Sequence, residues 1–200
     1  RPGRTASTRR CPAPGPAGRD LHFEVNVLAP YIVTSELMPQ VAASGRGTIL
    51  NVASNALLTV KHFSLAELLR PTHFKKLFGS YAASKLALAL WTHEAAKQLP
   101  PGVELRSVCP GPNDTPMTRG AGMPGWIAVL VPFLFRHPRR GAAQVHAAAF
   151  GPQRGPSGVF LHRGKPTPIP HLSAAPAVHE AVRAAYTAAF RPPQARSDGM

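Results

Sequence analysis

Gly79-Ser80-Tyr81-Ala82-Ala83-Ser84-Lys85-Leu86-Ala87-Leu88 is the stretch on which the reading of this chain turns. It is helix-forming, so the phenol of Tyr81 and the ammonium of Lys85, four residues apart, point from one helix face into the same space. A lysine held beside a tyrosine favours the phenolate and draws the phenol below its reference pKa of about 10. That is how a phenol becomes a general acid/base near neutral pH. A bare Tyr-x-x-x-Lys also occurs on ordinary amphipathic helices, with one residue packed and the other solvated, so the pair counts only with its surroundings.

Outward from the pair, Thr48-Ile49-Leu50-Asn51-Val52-Ala53 follows the turn Gly45-Arg46-Gly47 and reads as a buried strand of a parallel sheet, ending at Ser54-Asn55. The helix of the pair runs from Ser80, as its cap, to about Leu99 and stops at Pro100-Pro101-Gly102. Val103 to Cys109 is a second strand, closed by the loop Pro110-Gly111-Pro112-Asn113-Asp114-Thr115. Strand, helix and strand in this order predict a right-handed crossover, with ligands at the carboxyl ends of the strands.

Before this unit, Asp20 to about Ala43 carries Phe23, Val27, Tyr31, Leu37, Met38 and Val41 at near-helical spacing, with Asp20 as N-cap. Pro30 removes a backbone donor and predicts an irregularity one turn after Asn26. The amide of Asn26 is then either a helix-surface group or a partner for a freed backbone group or a water. Ser64 and Glu67 read as a capping box for a short helix, and Lys75-Lys76 among Phe74, Leu77 and Phe78 as a loop near a pocket mouth. Trp126 to Phe135 is the most apolar segment, and at ten residues it is too short to span a bilayer. Its readings, in order, are a lid over a hydrophobic pocket, a core helix and an interfacial anchor. Gly141 to Phe150 reads as a helix, Ser157 to Leu161 as a strand and Ala177 to Phe190 as a final helix.

Composition sets the outer limits. Two hundred residues with 44% hydrophobic content suit one domain with a real core, and the 23 prolines crowd the ends. The expected division is an irregular arm over 1–19, a domain over 20–190 and a disordered tail over 191–200. The net charge of +14 attracts polyanions, but the basic residues are scattered, five of them in the arm, and no recognition motif accompanies them. This argues for a solvated basic surface and against a nucleic-acid binder. Cys11 and Cys109 are unpatterned, which fits a reducing, cytoplasmic compartment. No stretch reaches the roughly 20 apolar residues of a transmembrane span, and the start lacks a signal peptide's apolar region. His93-Glu94-Ala95-Ala96-Lys97 has Lys where a zinc-protease helix needs its second His, the nine histidines form no ligand-spaced cluster, and no Gly-x-Ser-x-Gly elbow is present. Metal and serine-hydrolase chemistry are therefore not expected.

Asn26, Ser54, Tyr81, Lys85 and the Pro110 to Thr115 loop remain as a set that one sheet edge would gather. A serine donor beside a tyrosine acid polarises and protonates a carbonyl, while the hydride has to come from a cofactor. At these residues the chain resembles the short-chain dehydrogenase/reductase family. Asn26 in Phe23-Glu24-Val25-Asn26 resembles its helix asparagine, Ser54 after Leu50-Asn51-Val52-Ala53 its catalytic serine, and Tyr81 and Lys85 in Tyr-Ala-Ala-Ser-Lys its catalytic pair. Pro110-Gly111 with Thr115 resembles the loop that touches the nicotinamide.

The resemblance covers roughly Leu21 to Phe190 and implies NAD or NADP as cofactor and an alcohol/carbonyl pair as substrate. It implies Tyr81 as acid/base, Lys85 lowering its pKa and holding the nicotinamide ribose, Ser54 orienting the carbonyl, Asn26 supporting a proton-relay water, and Thr115 fixing the nicotinamide. The long gap from Ser54 to Tyr81, the His137-Pro138-Arg139-Arg140-Gly141-Ala142 stretch and Ser157-Gly158-Val159-Phe160 are most similar to the subgroup of retinol dehydrogenases and WW-domain oxidoreductases. That subgroup implies a lipophilic substrate. A homo-oligomer through the 20–43 and 80–99 helices is also implied. Nothing in Arg1 to Asp20 resembles the family's Thr-Gly-x-x-x-Gly-x-Gly loop. The expected fold is therefore α/β, the C-terminal part of a Rossmann-like doubly wound parallel sheet flanked by helices, with the N-terminal βαβ half missing. A chain that begins at Arg1 then reads as a fragment of a complete enzyme, or as a catalytically incompetent interaction module.

Overall fold

Asp20 begins the first helix as its residue type predicts: its Oδ1 accepts from the N–H groups of His22 at 2.8 Å and Phe23 at 3.3 Å. This helix, α1, starts as Leu21–Phe23, widens into a π turn over Glu24–Leu28 and continues as Ala29–Ala43. The irregularity expected at Pro30 lies one turn earlier, as that π turn around Asn26. Pro30 has no N–H to offer the carbonyl of Asn26, and the Ala29 N–H donates five residues back to Glu24 O. The computed structural model describes residues 18–70, 79–111, 137–152 and 155–190. Most of the expected arm, the Lys75-Lys76 loop, Thr115, the 126–135 segment and the expected tail lie outside the described residues.

Strand β1 is Gly47–Val52, followed by a 3-10 turn at Asn55–Thr59. Helix α2, Leu65–Leu69, is capped by Ser64, whose Oγ accepts from Glu67 N–H at 3.3 Å. Helix α3 is Ser80–Ala95, strand β2 Val103–Cys109 and helix α4 Pro138–Phe150. Strands β3, Phe160–His162, and β4, Lys165–Thr167, precede helix α5, Ala175–Phe190. Ser80 does not cap α3: it is a buried first residue of the helix, and Gly79 stands at the cap position without a side-chain bond. The first turn is closed instead by Ala83 N–H donating to Gly79 O at 3.1 Å.

The sheet order is β1-β2-β3-β4, with the first three strands parallel and β4 antiparallel to β3. Alternating residues divide the core between its two faces. Ile49, Leu105, Cys109 and Phe160 belong to a cluster with α3, α1 and α5. Leu50, Val108 and Leu161 pack with Val145 and Ala148 of α4. The strands step across the sheet in one direction while α3 and α4 lie on opposite faces, so the two crossovers have opposite hands. The right-handed rule describes at most one of them.

The third strand starts later than expected because Ser157 bonds the sheet with its side chain: Oγ accepts from Leu105 N–H at 3.0 Å and donates to Leu105 O at 3.2 Å. Gly158 then turns at φ +84°. Strand β4 was not expected from sequence. It returns through Arg163 and Gly164, both at positive φ, a two-residue hairpin turn without the usual Asn-Gly signature. Arg106 is fully buried on the α4 side, where Nε donates to Gly155 O at 3.0 Å and Nη2 pairs with Glu104 at 2.9 Å.

Candidate active site

Lys85 ties the Tyr81–Lys85 turn of α3 to the sheet. Its Nζ donates to Val52 O at 2.9 Å, at the last residue of β1 and two residues before Ser54. Burial pushes the Lys85 ammonium below the usual lysine range. Tyr81 lies one turn earlier on the same helix face and is partly buried. Asn26, inside the π turn of α1, does not bond to either of them. Its Nδ2 donates to Ser84 Oγ at 3.1 Å, and that hydroxyl donates on to Tyr81 O at 2.8 Å. Ser84 is fully buried, so α1 is joined to the Tyr81–Lys85 turn through one hydroxyl with both its donor and an acceptor site in use. Sequence reasoning gave Ser84 no role, and its only local signal was its place in the Tyr-Ala-Ala-Ser-Lys run.

Ser54 is at the end of the sheet, as expected. Its Oγ accepts from Ala56 N–H at 3.2 Å and starts the 3-10 turn. The loop after β1 and the loop after β2 meet on a sulfur atom: Cys109 Sγ accepts from Asn55 N–H at 3.1 Å and from Gly111 N–H at 3.4 Å. Cys109 is a free, buried thiol. Nothing local in the sequence signalled the bond between the two loops, since Asn55 is 54 residues away. Gly111 holds φ +80°, and among the described residues a Cβ there would come within 4 Å of Gln144 Nε2 alone, at 3.8 Å. Asn26, Ser54, Tyr81, Lys85, Pro110 and Gly111 accordingly come from α1, α3 and the loops that close β1 and β2, at the carboxyl ends of two parallel strands. Among the described residues no group of three or more His, Cys, Asp or Glu is placed to hold a metal, and no helix is long and apolar enough to cross a membrane.

A mostly parallel sheet with helices on both faces and a cluster at its carboxyl edge defines a Rossmann-like α/β protein. A solved protein from Mycobacterium paratuberculosis shares this fold, with a TM-score of 0.60 at 20% identity over 87% of this chain and 62% of that one. A family profile for short chain dehydrogenases matches residues 72–123. Human retinol dehydrogenase 11 is 31% identical over 72% of this chain and 45% of its own length. Zebrafish (Danio rerio) polyprenol dehydrogenase is 28% identical over 78% of this chain and 51% of its own. The chain belongs to the short-chain dehydrogenase/reductase family, in its retinol dehydrogenase-like branch. It spans about half the length of the curated relatives it matches.

Proposed function

We propose that this chain carries the catalytic part of a nicotinamide-dependent oxidoreductase that interconverts a lipophilic alcohol and its carbonyl. The observation that supports this best is the bond from Lys85 Nζ to Val52 O, which stands the Tyr81 face of α3 over the strand end that leads into Ser54. In this reading Tyr81 Oη gives a proton to the substrate oxygen or removes one. Lys85, held to the sheet edge by its bond to Val52 O, lies one turn from Tyr81 on the same helix face. Ser54 has one lone pair engaged by Ala56 N–H and keeps its own O–H to donate to the substrate oxygen. Asn26, held by Ser84, would support a proton-relay water.

NAD or NADP would supply or accept the hydride. Lys85 and Tyr81 would hold the nicotinamide ribose, and the Pro110-Gly111 loop with Thr115 the nicotinamide. No Gly-rich phosphate loop follows a strand among the described residues, so the fit extends to that half of the cofactor only. The names of the relatives, retinol and polyprenol dehydrogenases, support an isoprenoid-type alcohol as the substrate class.

Fluorescence titration with NADH and NADPH tests the reading, and saturable binding of one of them is expected. Its absence would refute the claim that these 200 residues suffice for the activity. Tyr81→Phe is expected to lower turnover by about 10²–10⁴-fold at unchanged melting temperature, the usual worth of a general acid/base. Retained turnover would remove Tyr81 from the role.

A second reading, an interaction module, is favoured by one feature. Leu21, Val25, Val33 and Leu37 recur at multiples of four along α1 and are all exposed. Helix α3 is buried beneath α1 and α5, so of the two long helices α1 is the one with an outward apolar row. Concentration-dependent dimers in sedimentation velocity, lost in Val33→Glu, would favour this reading.

A further inference from the structure

The sheet face opposite α3 is not closed. Between α4 and strands β2 and β3 lies a cavity of about 410 Å³, walled by Val108 and Leu161 from the strands and by Ala143, Ala147 and Ala148 from the helix. Small-molecule sites run from about 300 to 1,000 Å³, and this space falls among them. Ala143 and Ala147 are exposed, which puts the mouth of the cavity in solvent. Among the described residues the lining holds one polar side chain, Gln144, and no ionisable one. Gln144 Oε1 is buried and has no hydrogen-bond partner among the described residues. A buried acceptor without a donor costs free energy. Water fills such a space poorly, since an ordered water needs roughly two to four polar partners and these walls are mostly hydrocarbon.

We propose that this cavity is a binding site for a neutral lipophilic alcohol, with its hydrocarbon body against Val108, Leu161 and the alanines and its hydroxyl donating to Gln144 Oε1. The lining selects that class. An ionised head of either sign would enter without a countercharge, because no described lining side chain carries one. A cation is further opposed by the net charge of +14. A plain hydrocarbon or an ether would leave Oε1 without a donor, whereas a hydroxyl supplies one. Tyr81 and Lys85 belong to α3, which packs on the other face of the sheet, so this site is separate from the one proposed for the chemistry. The inference goes beyond that reading and does not depend on it. An alcohol seated there touches α4 and both strands at once, and it therefore stabilises the folded chain in proportion to its occupancy.

Methyl-labelled nuclear magnetic resonance on the full chain, free of cofactor, tests the site with two probes: n-octanol, and octyl methyl ether, which has the same apolar body and no donor. Saturable shifts of the Val108 and Leu161 methyl signals are expected with octanol, and the ether is expected to bind about five- to tenfold more weakly, the worth of one hydrogen bond. Gln144→Leu keeps the size of the wall and removes the acceptor, so it is expected to bring the two probes to the same affinity. Ala147→Phe fills the mouth and is expected to abolish the shifts with unchanged helical circular dichroism. Val108 and Leu161 signals that do not shift saturably would mean that water or the chain itself fills the cavity, and would overturn the proposal. Equal affinity for octanol and ether in the unmodified chain overturns it too, as does a preference that survives Gln144→Leu. Shifts that persist in Ala147→Phe place the binding elsewhere and sink it as well. Should Ala147→Phe unfold, the Gln144→Leu arm decides alone. Failure to bind NADH or NADPH would count against the functional reading and leave the octanol result standing.

Discussion

On the sheet face covered by α3, α1 and α5, Phe23, Leu86, Leu90, Trp91 and Phe160 are fully buried in one cluster. On the face covered by α4, the buried apolar cluster is Val108, Ala148 and Leu161, and a cavity of about 410 Å³ opens beside Ala143, Gln144 and Ala147. Side-chain size accounts for the difference. Helix α3 supplies Leu86, Leu88, Leu90 and Trp91 to its cluster, whereas α4 is built largely of Ala and stops short of filling the gap. Gln144 Oε1 is buried at that gap without a hydrogen-bond partner among the described residues. Tyr81 and Lys85, proposed above for the chemistry, lie on α3 over the full face. A proton donor has to be held within fractions of an ångström, and rigid packing behind it supplies that constraint.

The contrast is open to four measurements. Trp91→Ala should cost about 3–5 kcal/mol in urea unfolding, as for a large aromatic in a closed core. A loss below about 2 kcal/mol would mean that the α3 face is not tightly packed. Leu161→Ala, beside the cavity, should cost about 2 kcal/mol, the low end for a buried leucine, because its lining is already incompletely packed. A cost equal to that of Trp91→Ala would erase the distinction. Ala143→Leu grows into the cavity and should change stability by less than about 1 kcal/mol, whereas overpacking a filled core costs about 1–3 kcal/mol.

The smallest effect concerns Lys85. Its folded pKa is lowered by burial, so between that value and 10.5 the unfolded chain binds the proton more tightly than the folded one. Stability should therefore rise with pH across that window, and Lys85→Met should flatten the rise in pH-dependent melts. An identical slope in both proteins would mean that the ammonium is as well solvated in the fold as in the unfolded chain.

The parts of the fold that sequence anticipated are those that local chemistry decides. Asp20 and Ser64 cap because a short side-chain oxygen reaches its own helix's N–H groups, and Pro30 disturbs α1 because a missing donor is felt within one turn. The parts it missed depend on distant partners. Ser157 displaces the start of β3 through a bond to Leu105, and β4 forms because Arg163 tolerates a left-handed turn once its strand is paired. Ser80 had a capping residue type and no use for it, because the fold buried it.

The candidate site divides in the same way. Helical periodicity alone sets Tyr81 and Lys85 on one face, since four residues make little more than one turn, and apolar runs ending in small polar residues mark Ser54 and Pro110-Gly111 as strand ends. What those groups touch was decided by tertiary contacts: Lys85 with a carbonyl 33 residues away, Asn26 with a serine 58 residues away, two loops with the sulfur of Cys109, and Tyr81 with the ring of His22. Periodicity carries information over a turn or two of chain. The hydrogen bonds that aim a catalytic group close loops of tens of residues, and only the packed sheet and its helices bring those ends together.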